Sequence, residues 1–89
     1  MELNNKTIWD NVLTKIELSI SKANFKTWFQ ETDLKEVTKE GVAIITVPNQ
    51  FVKNWLGEKF NQLIVKNLKD TEPMIKKVEY LIEKKNLKY

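Results

Sequence analysis

Apolar positions along the first third of the chain recur with a helical period. Ile8, Trp9, Val12, Leu13, Ile16 and Ile20 follow the 3.6-residue spacing of a helix that buries one stripe. Thr7 with Asp10 three residues later resembles a capping box with Asp in place of Glu, so the pattern predicts a helix over 8–19 that starts at Ile8. Ser19 and Ser21 then offer a new N-cap. Phe25, Trp28 and Phe29 fall at i, i+3 and i+4, which predicts a second, short helix over 22–31.

The period changes after Thr32 and Asp33. Leu34 and Val37 flank charged residues in a short, weak strand. Lys39-Glu40-Gly41 is a turn signal, with glycine free to take a positive φ. Val42 to Val47 is rich in β-branched residues and predicts a strong strand, antiparallel to the first in a hairpin. Pro48 stops it, and Asn49 is a good N-cap. Phe51, Val52, Trp55, Leu56, Phe60, Leu63, Ile64 and Leu68 then repeat at helical spacing, giving the longest helix, over 50–69, whose apolar stripe centres the core. Gly57 inside it costs about 1 kcal/mol against alanine and would admit a close helix crossing. Residues 70–73 read as a loop. Met74, Val78, Tyr80 and Ile82 alternate with more polar positions and predict a third strand over 75–82, although Ile75, Val78 and Ile82 also fit a helix. The order is α-α-β-β-α-β in an α+β fold. It forms one compact domain over 1–83 with helices packed on a three-stranded sheet, and a tail or start of a linker over 84–89.

Composition narrows the chemistry. The 89 residues include no cysteine and no histidine, which removes disulfides, thiolate nucleophiles, imidazole bases and zinc-finger ligand sets. There is no glycine-rich phosphate loop and no dinucleotide turn. Asp33, Glu36 and Glu40 neighbour one another in a polar turn and read as solvated. The expectation is a protein with no catalytic residues, no cofactor and no metal. No run approaches the ~20 apolar residues of a membrane helix, and no signal-peptide pattern opens the chain, so the expected location is cytoplasmic, with no membrane partner.

Net charge is +3, and all 15 basic residues are lysines. Residues 51–89 carry nine of them against five acids, whereas residues 1–50 carry six against seven. That bias allows weak phosphate contact through Lys53, Lys59 and Lys66. The absence of arginine weakens sequence-specific DNA reading. Trp28 and Trp55, at helical spacing, read as core. Phe51, in the first turn of its helix, is open to either core or surface. Trp9, beside Ile8 one turn from a helix start, could exceed what a small core needs.

Three segments in order, Ile8-Trp9, Phe25-Lys26-Thr27-Trp28 and Pro48-Asn49-Gln50-Phe51-Val52-Lys53-Asn54-Trp55-Leu56, resemble the N-terminal domain, domain I, of the DnaA family of bacterial chromosomal replication initiators. The resemblance runs from Thr7 to Ile82. It implies a KH-like fold and an interaction hub that self-associates and recruits the replicative helicase DnaB and initiation regulators. In some members it also touches single-stranded DNA weakly. By that resemblance Ile8 and Trp9 match the self-association surface, and Phe51 matches an exposed helicase contact. Thr27 and Trp28, beside Phe25, match positions used by regulators. Asn24 stands where some members place an acid for the helicase, so here that contact lacks its charge. Docking of helix 2 by Trp28 and Phe29 would leave Phe51 as an apolar spot rimmed by Asn24, Thr27 and Gln50. The Gly-x-x-Gly of true KH RNA binders is absent, which leaves a single-stranded nucleic-acid module as the second reading. The family's ATPase and duplex-DNA-binding domains correspond to nothing in these residues.

Overall fold

The first helix starts three residues earlier than the sequence pattern predicts. In the computed structural model, which describes residues 4–83, α1 spans Asn5–Glu17 and its N-cap is Asn4. The Asn4 side chain accepts the Thr7 backbone N–H at 2.8 Å. Thr7 therefore lies inside the first turn. An asparagine that reaches an orphan N–H ends the competition for the cap. Ile8, Trp9, Val12 and Ile16 form the buried stripe of α1.

Ser21 caps α2 (Lys22–Phe29) as its position suggested, with its hydroxyl accepting the Asn24 N–H. The hairpin also forms as expected. Strand β1 (Asp33–Val37) pairs antiparallel with β2 (Val42–Val47), with a bulge between Leu34 and Glu36. Gly41 turns the chain at φ 88°. Its carbonyl also receives Lys76 N–H at 2.6 Å and Lys77 N–H at 3.3 Å, so the turn fixes the start of the third strand.

Asn49 caps the next helix through the Val52 N–H. The single helix expected over 50–69 is three pieces: α3 (Gln50–Trp55), a π-helical segment (Leu56–Phe60) and α4 (Asn61–Thr71). Phe60 leaves helical geometry at φ −120°, ψ 2°, so the register breaks there. Gly57 sits on the exposed side of the π segment. A Cβ at that position would meet only the Tyr80 ring at 3.9 Å, so Gly57 serves no helix crossing.

The last element is a strand. β3 (Lys77–Ile82) runs parallel to β2, and the sheet order is β1-β2-β3. The strand form wins because Lys77 to Ile82 find six partners along β2, from Val42 to Val47. A helix here would leave that edge of β2 unpaired. The parallel return needs the long α3–α4 crossover. Residues 84–89, read above as a tail or linker, lie outside the described residues.

The order α-α-β-β-α-β stands, and the helices cover one face of the sheet. Leu34, Ala43, Ile45 and Val47 are buried on that face, and Val78 and Tyr80 pack against the same core. On the outer face Lys35 reaches across to Glu83 at 2.8 Å, which raises the lysine above its ordinary pKa. The Trp9 indole N–H donates to both the carbonyl (3.1 Å) and the hydroxyl (3.2 Å) of buried Thr32, whose own hydroxyl donates to the Phe29 carbonyl at 2.7 Å.

Two substitutions test this frame. Gly41→Ala forces a Cβ to within 2.5 Å of the Met74 carbonyl in a left-handed conformation, so urea denaturation should show a loss of more than about 1 kcal/mol. Tyr80 donates to Asn61 Oδ1 at 2.9 Å, and burial pushes its phenol well above the usual value. The folded state therefore favours the protonated phenol. That contribution is complete below about pH 10, where the unfolded phenol is neutral, and is lost as pH rises toward the folded value. Tyr80→Phe should cost about 1 kcal/mol at neutral pH and should lose less stability than the parent between pH 9 and 11 in parallel denaturation curves.

Candidate protein-interaction site

α2 is too short to stand alone. It docks by Phe29, which is fully buried, and by Trp28, whose ring meets the start of the crossover. The Trp28 ring lies 5.3 Å from Phe51 at 50° and 4.7 Å from Trp55 at 12°. Phe51 and Trp55 are four residues apart on α3, so both rings share the helix face that Trp28 covers. Lys59, four residues further on, places its ammonium 5.7 Å from the Trp55 ring centre. Each aromatic pair is worth about 0.5–1.5 kcal/mol beyond burial.

Within this cluster the burial is graded. Trp28 is buried, Trp55 is half-buried and Phe51 is 68% exposed. Pro48 and the Asn49 cap fix the first turn of α3, and Phe51 lies in that turn. An exposed phenylalanine seated on a buried tryptophan is a preorganised apolar contact with little side-chain freedom left to lose.

Asn24 and Thr27 are exposed on α2, with Asn24 one turn before Trp28. Gln50 is exposed and donates to Asn54 Oδ1 at 2.8 Å. Phe25 faces elsewhere. It stacks on Phe29 at 5.9 Å and lines a groove of ≈ 370 Å³ with Glu17, Lys22, Lys26 and Gln30.

Ile8 and Trp9 require a correction. They are 4% and 2% exposed, so neither is presented at a surface in this conformation. Trp9 is buried because its indole N–H finds a partner in Thr32, which lets a large amphipathic ring serve as core. Lys53, Lys59 and Lys66 lie on three different segments. Lys53 is on α3, Lys59 is drawn over Trp55 from the π segment, and Lys66 borders a separate groove on α4 with Lys69 and Asp70. Trp55, read from the sequence as core, was the contributor left out of the expected site, and its i, i+4 spacing from Phe51 was the visible signal; Lys59, expected as a phosphate contact, lies over the Trp55 ring.

Among the described residues no group of three or more acidic side chains could hold a metal, and no helix is long and apolar enough to cross a membrane. A family model described as the DnaA N-terminal domain matches residues 6–70. The chain belongs to that family. The matched span contains all of α1 but its first residue, α2, the hairpin and nearly all of the crossover, and so the whole aromatic cluster. Membership assigns a DnaA-type protein-interaction role in replication initiation.

The graded burial predicts graded costs in urea unfolding. Trp28→Ala should lose about 3 kcal/mol or more. Phe51→Ala should lose about 1 kcal/mol or less, with Trp55→Ala between them.

Proposed function

We propose that this DnaA N-terminal domain is a docking module that acts in the cytoplasm. It recruits the replicative helicase DnaB and initiation regulators through the face formed by Trp28, Phe51 and Trp55. The observation that carries this reading is the 68% exposed Phe51 held against Trp28. One aromatic anchor with a polar rim of Asn24, Thr27 and Gln50 suits a transient interface. Asn24 supplies hydrogen bonding without charge, so the affinity rests more on the apolar contact than on ion pairing. The buried Ile8 and Trp9 take no part in this reading.

The alternative is weak binding of single-stranded DNA, favoured by one observation: Lys59 over Trp55 sets a cation beside exposed aromatic surface. Salt separates the two readings. Phosphate contacts on a single strand give a log–log slope of about −0.7 each, whereas an apolar anchor is nearly insensitive.

Phe51→Ala is the direct test, read by helicase pull-down and circular dichroism together. Helicase binding should fall about tenfold or more with an unchanged spectrum. Retained binding would place the helicase surface elsewhere.

A further inference from the structure

The buried positions of the crossover do not fit one regular helix. Val52, Leu56, Phe60, Ile64 and Leu68 follow one another at four-residue intervals. Phe60 is half-buried against Phe29, and the other four are buried in one core. A spacing of four overshoots the 3.6-residue turn by ~40°. Four such steps in an unbroken α-helix would set Leu68 ~160° from Val52, on nearly opposite sides of the axis. The π-helical segment removes the conflict. A π turn takes one more residue than an α turn. It therefore withholds one residue's rotation, ~100°, and leaves a spread of ~60° that a single buried stripe contains.

The same rotation decides where the aromatic face points. Without it, α3 would stand ~100° away from its present setting on α4. Lys53 would then turn toward the core in place of Val52. Phe51 and Trp55 would leave Trp28, which they now meet at 5.3 and 4.7 Å. Little within the segment holds the π form. No side chain caps its start or the start of α4, and Gly57 weakens helical order. The restraint comes from β3. The Tyr80 hydroxyl donates to Oδ1 of Asn61, the first residue of α4, at 2.9 Å. The Tyr80 ring lies beside Gly57, with Cε2 3.9 Å from the place a Cβ would take. One half-buried side chain thus spans the segment from Gly57, in its first turn, to Asn61, directly after its last residue.

We propose that Tyr80 and Asn61 are positioning residues for the docking face: the hydrogen bond between them clamps the π turn, and the clamped turn keeps Phe51 seated on Trp28. The inference rests on the reading of the Phe51 face as the docking surface. Neither residue belongs to that face, and its rings stay chemically intact when the clamp is changed. An effect on binding is then transmitted through helix register. A partner that binds through one preorganised ring loses affinity when the ring must be ordered on binding.

Proton NMR and helicase pull-down of the 89-residue chain test the clamp together. Nuclear Overhauser contacts should join the Phe51 and Trp28 rings in the parent. Tyr80→Phe removes the hydrogen bond and keeps the ring. Amide exchange over residues 56–61 should then quicken about fivefold, as loss of one hydrogen bond implies. The Phe51–Trp28 contacts should weaken, and helicase binding should fall several-fold. Asn61→Ala should act alike, and adding Tyr80→Phe to it should weaken the contacts no further. Deleting Gly57 removes the extra residue, so α3 and α4 join as one α-helix with the same stripe inward. That chain should fold, keep the Phe51–Trp28 contacts and no longer respond to Tyr80→Phe. Contacts unchanged by Tyr80→Phe overturn the proposal. So does a Gly57 deletion that unfolds the chain or leaves it sensitive to Tyr80→Phe. Weakened contacts with unaltered helicase binding would support the clamp and overturn the reading of the Phe51 face instead.

Discussion

The hydrogen bond from the Trp9 indole to Thr32 is the joint on which the arrangement turns. Thr32 sits between α2 and β1, and its hydroxyl also holds the end of α2 at Phe29. One buried ring therefore ties α1 to the point where the chain passes from helix to sheet. An indole N–H buried without an acceptor would cost on the order of 1–3 kcal/mol. The contact thus selects one placement of α1 over others that would bury the same area. With α1 fixed on β1 and α4, the buried faces of α2 and the crossover have one core to close on.

That core sets the limits of the functional face. Phe29 is buried, stacked on Phe25 and edge-on to Phe60, so it anchors α2. Trp28, its neighbour in sequence, points toward α3 and closes the gap with Trp55. What remains is a ring with nowhere to go: Phe51, one turn before Trp55, packs one side on Trp28 and leaves the other to solvent. An 89-residue domain has few large side chains to spare. A phenylalanine left 68% exposed on a rigid support is the kind of apolar surface that marks an interaction site. The π-helical segment beyond it shifts the register before α4 begins, so that Lys59 lies by Trp55 and Lys66 by the α4 groove. The lysines of the crossover do not form one stripe.

Local chemistry was legible wherever a short stretch of chain decides the outcome. Ser21 and Asn49 cap their helices, Gly41 turns with a positive φ, β2 runs from Val42 to Val47, and the element order follows. The Pro48-to-Leu56 stretch was specific enough to point to the DnaA N-terminal family, which the family match then showed. These features depend on caps, turn conformations and periodicity, each settled within a few residues.

Tertiary structure decided what depends on partners distant in the chain. Trp9 and Phe51 are both aromatic residues near a helix start, and nothing in their neighbours tells them apart. Trp9 is core because Thr32, twenty-three residues away, accepts its N–H. Phe51 is surface because Trp28 and Trp55 fill the space beneath it. Residues 75–82 fit either a strand or a helix by pattern, and pairing along the edge of β2 made Lys77–Ile82 a strand. Local sequence determined which elements form and where most of them begin. Which side of each element met water was left to long-range packing, because burial is a property of the assembled core and not of the segment.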